Sequence, residues 1–499
     1  MEASEYWFLV AAALSFLVPA GLILIGAAGI DPQRSWAAAL AGLAAIGLAG
    51  VGYWAVGFAL QFGGVGLFYN DPGLQGLVWE WSALPANWGS GWGTAGLSGW
   101  FLGGSVMTPA AYALFLAHLP WAATSALLPV LALRGRAPSV AALVLGLGMG
   151  GIVYPLAGNW VHGGGWLAAL GRNLGAGHGM VDFGGAGTVF LVAAAATSAA
   201  LLVWLPRQSP RALADPNLPT VHLPMLAVVG ALLLPVGVLG WSWSNPIQAG
   251  VIGDLGPLRG SVNSLLFVIT GSLIPVLYTW FVAGESDPMM AARGMAAGAI
   301  AGLGAGPFVT PTAALVVGLL AGGSVPFVTF AVNRLLRLND TAGILSMTAI
   351  PALLGLLSVG LFADGAVGAG WQMTGAGSYL GVTGQGVTGL VAAVGFVADF
   401  PGQLQAQAIG AVTLLLWGFV MGSLICVPLA ALAHGIDVAM GSGQRKQSTS
   451  EETQTALGDD QGYGMVEDGY AADSRAVYVA SPVRPRWAER EQEQQHIQE

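Results

Sequence analysis

Charge is scarce in this sequence. Asp, Glu, Lys and Arg make up 8% of its 499 residues, against about 25% in an ordinary soluble domain. Such a chain cannot coat its own surface with polar groups. With 55% hydrophobic residues and a mean hydropathy of +0.70, its solvent is the lipid bilayer. Cysteine is nearly absent: Cys426 stands alone in an apolar run, which excludes a disulfide framework and a thiolate metal site. The six histidines are scattered, with no His-x-x-x-His pair, so no resident metal is expected. The glycine-rich stretches lack the strand context of a P-loop or a dinucleotide fingerprint, and no cofactor is expected. There is no basic patch, so no nucleic-acid partner is expected. With no nucleophile–base pair, the chain is not read as an enzyme.

What is present is apolar length. A spanning helix needs roughly 20 mostly apolar residues, and eleven candidates are found near 6–29, 36–62, 109–133, 139–158, 184–205, 222–243, 261–283, 289–305, 310–333, 342–362 and 406–436. The 77 glycines suit close helix approach, because small residues let membrane helices pack where no hydrophobic force drives them together. The first run follows Met-Glu-Ala-Ser-Glu with no basic region, and reads as an uncleaved first helix. Arginine sets the orientation. With the N-terminus outside, the inner loops hold Arg34, Arg134, Arg136, Arg207, Arg211, Arg293, Arg334 and Arg337, and the outer loops hold Arg172 and Arg259. That bias predicts an outer N-terminus and a cytoplasmic C-terminus. The outer loop 63–108 ("WEWSALPANWGSGWGTAG") is rich in tryptophan and reads as an interfacial anchor or a ligand vestibule. Residues 1–440 are thus a transmembrane domain. Residues 441–499, with 11 acidic and 6 basic residues, are a cytoplasmic tail expected to be largely disordered. One lysine among 16 basic residues, with heavy Ala and Gly usage, points to a GC-rich, prokaryotic genome.

Ionisable groups inside a membrane are costly and are functional candidates by default. They are His118, Asp182, Asp340 and His162. Asp182 stands at the N-terminus of the fifth helix, where a carboxylate meets free N–H groups and the positive end of the dipole; it reads either as a cap or as a shaper of a pore mouth. Asp340 reads as a cap of the tenth helix, and His118 as a satisfied core histidine.

Several segments, taken in order, resemble the ammonium transporter family (Amt/Mep/Rh). "YWAVGFALQFGG" resembles the end of the family's second helix. "NWVHGGGW" followed by "DFGGAGTV" resembles its W-G-G-G and D-F-A-G-G-T-V signature. "GAIAGLGAGPFVTPTAAL", "NRLLRLNDTAGIL" and "GFVMGSLICVPLAAL" resemble later runs. The resemblance implies an all-α membrane protein of eleven helices around a narrow hydrophobic pore, with an inverted 5+5 helix repeat. It also implies a homotrimer in the plasma membrane, with ammonium caught at an outer aromatic site and ammonia passing two pore histidines. The family's tail contact with regulators has a faint counterpart in "ALGDDQGYG", so a cytoplasmic regulator at the C-terminal tail is a possible partner.

The departures are specific. Counting from Asp182 and Asp340, the two pore-histidine positions fall on Phe190 and Leu345. Neither side chain donates or accepts a hydrogen bond, so ammonia would cross a dry constriction at a cost of several kcal/mol, or meet a dewetted gate. At the outer site His162 takes a tryptophan's place, Trp241 a phenylalanine's and Asn245 a serine's. The remaining phenylalanine falls near Leu119 to Trp121. Trp241 and Trp243, with Asn245 as acceptor, form a candidate cage for ammonium, the alternative being interfacial anchoring. Two functions remain open: a channel for ammonia or a similar small solute, and a non-conducting relative acting as a membrane sensor or partner subunit.

Overall fold

The computed structural model describes residues 3–456 apart from 31, 89–90, 134–135, 138, 206–221 and 250. Arg134, Arg207, Arg211, "ALGDDQGYG" and the tail from 457 lie outside the described residues. The described residues up to 436 form one compact unit, and those from 437 on belong to a second.

The first unit is helical. In chain order its helices are α1 (Ala3–Ser15), α2 (Leu17–Ala28), α3 (Pro32–Gly52), α4 (Phe58–Phe62), α5 (Pro109–Leu133), α6 (Ser139–Gly148), α7 (Tyr154–Val161) and α8 (Leu170–Leu174). They are followed by α9 (Val192–Val203), α10 (His222–Trp243), α11 (Pro246–Ala249), α12 (Leu255–Ala283), α13 (Pro288–Ala305), α14 (Pro311–Phe330) and α15 (Ile344–Phe362). The last, α16 (Gly402–Ala456), runs on into residues that the sequence marks as tail. Two short hairpins, β1 (Glu80–Ser82) with β2 (Gly93–Gly96) and β3 (Ser378–Tyr379) with β4 (Val382–Thr383), decorate the loops.

Four π-helical turns interrupt the pattern: Tyr53–Gly57 joins α3 to α4, Met149–Val153 joins α6 to α7, Ala186–Leu191 opens α9, and Ala331–Leu335 closes α14. A π-turn holds an extra residue and rotates everything after it, and such turns gather at functional sites.

Among the described residues, ten helical stretches are long and apolar enough to cross a membrane. They match ten of the eleven expected. The exception is 289–305: it is the helix α13, but the count of eleven spans is not established, because α13 falls short in apolar character. Its sequence is dominated by Ala and Gly and carries Arg293. The physical reason is its position. Residues 292–294 and 296–305 are buried by α10, α12, α14 and α15, so small side chains serve it better than greasy ones. Outer helices show the converse, with Leu258, Leu277 and Phe281 of α12 exposed as lipid-facing surface.

Helix pairing repeats between the halves. In the first, α3 packs on α5 and α6, and α5 on α9; in the second, α12 packs on α13 and α14, and α13 on α15. The halves meet where α2 lies against α10 and α15 against the 186–191 turn. The two helix starts at this seam share a local plan. Asp182 is followed at the third position by Gly185 (φ +80°), and Asp340 by Gly343 (φ +74°). Each glycine takes the left-handed turn that lets the carboxylate reach back to the free N–H groups of its helix.

Candidate functional site

The site begins with α5. His118 and Trp121 are three residues apart and so share one face, with Pro120 between them. Both are fully buried. His162 caps the C-terminus of α7, its N–H bonding Gly158 O at 2.7 Å. The chain then turns through Gly163, Gly164 and Gly165. Gly164 has φ +87°, and a Cβ there would strike the Phe68 ring; a Cβ on Gly163 would strike the Gln61 carbonyl. That close turn sets His162 against the end of α4.

Asp182 Oδ2 accepts from the N–H groups of Gly187 (3.1 Å) and Thr188 (2.9 Å) and from Thr188 Oγ1 (3.1 Å). It is therefore a cap, and it is also wired onward. Thr188 Oγ1 lies 3.2 Å from His162 Nε2, which is 3.9 Å from Asp182 Oδ2. Burial pushes Asp182 up to about 6 against the pull of the Thr188 and Gly187 bonds. Burial pushes His162 down to about 3, so with the site empty the imidazole is neutral.

A cavity of about 10 Å³ opens beside His162, lined also by Tyr69, Asn245, Gln248, Trp371 and Gln372. That is room for about one water-sized molecule. Gln372 belongs to the distant loop after α15. It accepts from Tyr69 Oη (3.0 Å) and donates to Val161 O (2.8 Å), closing the cavity over the end of α7.

Behind the cavity wall the rings are stacked. The Trp121 ring meets His162 edge-on (5.2 Å, 87°) and lies flat on Trp241 (5.2 Å, 9°); Trp241 in turn leans on Phe190 (6.0 Å, 34°). Of the residues Leu119 to Trp121, it is Trp121 whose ring packs against His162 and Trp241. Trp241 is fully buried and donates to Gly184 O at 2.8 Å, so it is a wall and not an interfacial anchor. Trp121 Nε1 is buried with no partner. Trp243 takes no part: it bonds Ser261 Oγ and tilts on Phe183.

The sequence assigns Asn245 an acceptor's role. Its Oδ1 accepts from Ile247 N–H (3.0 Å), starting α11, and its Nδ2 faces His118 Nε2 at 3.1 Å. The sequence reads His118 as a satisfied core histidine, and it is fully buried at the hub of a hydrogen-bond network. Its Nδ1 is 2.7 Å from Tyr154 Oη and 3.2 Å from Gln61 Nε2, while Gln61 Oε1 accepts from Tyr53 at 2.9 Å. The Gln61 and Asn245 amides and the Tyr154 hydroxyl together give both ring nitrogens a partner. The His118 and His162 rings are 5.7 Å apart.

Phe190 and Leu345 are both buried within one hydrophobic cluster that also contains Trp121 and Trp241. Phe190 lies inside the π-turn that opens α9. Leu345 begins α15, with its N–H donated to Asp340 Oδ2 at 2.7 Å. Sequence reasoning missed Gln61, Tyr154, Thr188 and Gln372. The signal for Gln61 was there, a lone amide in the apolar run "YWAVGFALQF". Nothing local pointed to Gln372.

The sequence model of the Ammonium Transporter Family matches residues 6–441. The chain belongs to that family. Among curated relatives, ammonium transporter Amt2 of Archaeoglobus fulgidus is 26% identical over 374 residues, covering 72% of each chain. Among solved structures, a sensor Amt protein superposes with a TM-score of 0.63 at 18% identity, covering 85% of this chain and 92% of that one. Mep2 of Candida albicans gives 0.63 at 20% identity, covering 85% and 83%. These structural likenesses establish the ammonium-transporter fold. Within it, the described residues place one imidazole, His162, on the cavity, and the two positions where the resemblance implies pore histidines hold Phe190 and Leu345.

Proposed function

We propose that this family member takes up ammonium at the His162 cavity and passes ammonia between the halves of its fold, across the plasma membrane. One observation carries the reading: a cavity sized for a single water-sized solute ends on His162, and directly behind it stands the stacked Trp121–Trp241 pair. His162, Trp241 and Asn245 form the recruitment region, with Asp182 holding its geometry. The unpaired Nε1–H of Trp121 suits ammonia, which offers a lone pair, and not ammonium, which offers only donors. The working form is a homotrimer with its N-terminus outside and its C-terminus cytoplasmic, where the tail meets a regulator.

Phe190 supports a second reading. It is fully buried and packed on Trp241, as a plug would be, so the chain would be a non-conducting sensor or partner subunit. Ammonium flux into proteoliposomes separates the two. Transport predicts vesicle alkalinisation well above that of empty vesicles; flux equal to empty vesicles discards transport and leaves the second reading.

A further inference from the structure

The His162 cavity owes its size to one side chain from far along the sequence. Gln372 is 6% exposed and straps three segments together: Tyr69 Oη donates to its Oε1 (3.0 Å), and its Nε2 donates to Val161 O at the end of α7 (2.8 Å). Its backbone is held as firmly. Gln372 and Met373 stand in the left-handed region (φ +51° and +61°), a conformation that persists in side-chain-bearing residues only where the surroundings impose it. Here a hydrogen-bonded turn imposes it, with Met373 N–H on Gly370 O (2.9 Å) and Thr374 N–H on Trp371 O (3.0 Å). The neighbouring Trp371 is 3% exposed and meets the Phe308 ring edge-on (5.0 Å, 82°). Swinging Gln372 away would break two hydrogen bonds and pull an indole out of the apolar core. It is therefore a fixed wall, and the space of about 10 Å³ beside it is a fixed dimension.

We propose that Gln372 is the size-determining residue of this cavity, admitting a cation with one non-hydrogen atom and excluding methylammonium and larger amines. This rests on the proposed uptake of ammonium at the cavity, and adds which amines it refuses. About one water-sized molecule fills the space. Ammonium, a single nitrogen with its hydrogens, matches it. Methylammonium carries a carbon as well and must displace wall atoms. The other amides of the wall do not yield in place of Gln372. Asn245 is tied to Ile247 N–H (3.0 Å) and faces His118 (3.1 Å), and Gln248 donates to Phe183 O at 2.6 Å. One methylene too many in a fitted pocket lowers binding about 10–200-fold.

The test reads the ratio of two responses, which a merely structural change does not move. Full-length protein in lipid nanodiscs is melted at fixed pH with ammonium chloride, methylammonium chloride or, as the ionic-strength control, choline chloride. A bound cation raises the melting temperature. In the wild type ammonium is expected to raise it, and methylammonium to need a concentration about 10–200-fold higher for the same rise. Gln372→Asn removes one methylene, and asparagine accepts left-handed backbone; the methylammonium concentration should fall close to that of ammonium. If that variant does not fold, Gln372→Gly, which suits a positive φ without strain, reads the same ratio. Equal wild-type responses to the two cations, or a variant that keeps the wild-type ratio, overturn the inference and leave ammonium uptake standing. A wild type that responds to neither cation removes uptake at this cavity, and the filter with it. Selective melting shifts without ammonium flux into proteoliposomes discard transport and leave the filter standing.

Discussion

At the scale of single residues, the site is governed by which polar atoms have partners. Trp121 has none for its indole N–H, and a buried unsatisfied donor costs about 1–3 kcal/mol. Trp121→Phe should therefore leave the fold at least as stable by thermal melting while lowering ammonia flux several-fold, because the ring stack survives and the donor does not. Glu80 is a second unmatched group. Its Oε2 is buried without a partner, wedged against Gly64 and Gly93, and burial pushes its carboxyl from 4.5 to about 7 despite the nearby Arg172. The folded chain thus holds a proton that the unfolded chain has released between about 4.5 and about 7, so raising pH through that window favours unfolding. Glu80→Gln should flatten that decline, giving a melting temperature above wild type at pH 8 and near it at pH 4. A parallel fall in the variant would remove Glu80 as the cause.

At the scale of elements, close helix contact rests on glycine. A Cβ on Gly322 of α14 would collide with the Gly271 carbonyl of α12, and Cβ atoms on Gly294 and Gly298 of α13 would strike backbone carbonyls of the same helix. Gly322→Leu forces α12 and α14 apart and should cost at least about 1–3 kcal/mol, read as a lower melting temperature in detergent. The helix starts explain what was legible and what was not. Asp182 and Asp340 were readable as caps because a carboxylate before an apolar run has few other uses, and both do bond the N–H groups of their helices. The facing of residues beyond them was not readable. Between Asp182 and Phe190 the chain passes a left-handed glycine and a π-turn, and no hydrophobic period announces an extra residue in a turn. His118 was readable as a satisfied core histidine, but its partners were not: Gln61, Tyr154 and Asn245 come from three other segments, so only the fold reveals them. If the count from the two aspartates gives the pore positions, Phe190→His with Leu345→His should raise ammonia flux above wild type. An unchanged rate would mean that these side chains do not line the route.

At the scale of the whole molecule, one helix decides the topology. Ten stretches qualify as spans and α13 does not, yet α13 has 18 residues, roughly 27 Å at 1.5 Å per residue, enough to cross most of a bilayer core. If α13 crosses, the number of passes is odd and the chain ends lie on opposite faces. Epitope tags at the two termini, probed on intact and permeabilised cells, should show the N-terminus outside and the C-terminus inside; both tags on one side would make α13 a buried helix that does not span.

If solute passes from the His162 cavity towards Phe190 and Leu345, its route is lopsided, with hydrogen-bonding groups around His162 and an apolar cluster at the far end. A passive conduit of this kind cannot rectify, since detailed balance fixes the same final distribution from either direction. It can, however, saturate differently from its two ends. Solute arriving at the polar mouth would be held there one molecule at a time, whereas solute arriving at the oily end would have nowhere to wait and would enter only as fast as it collides.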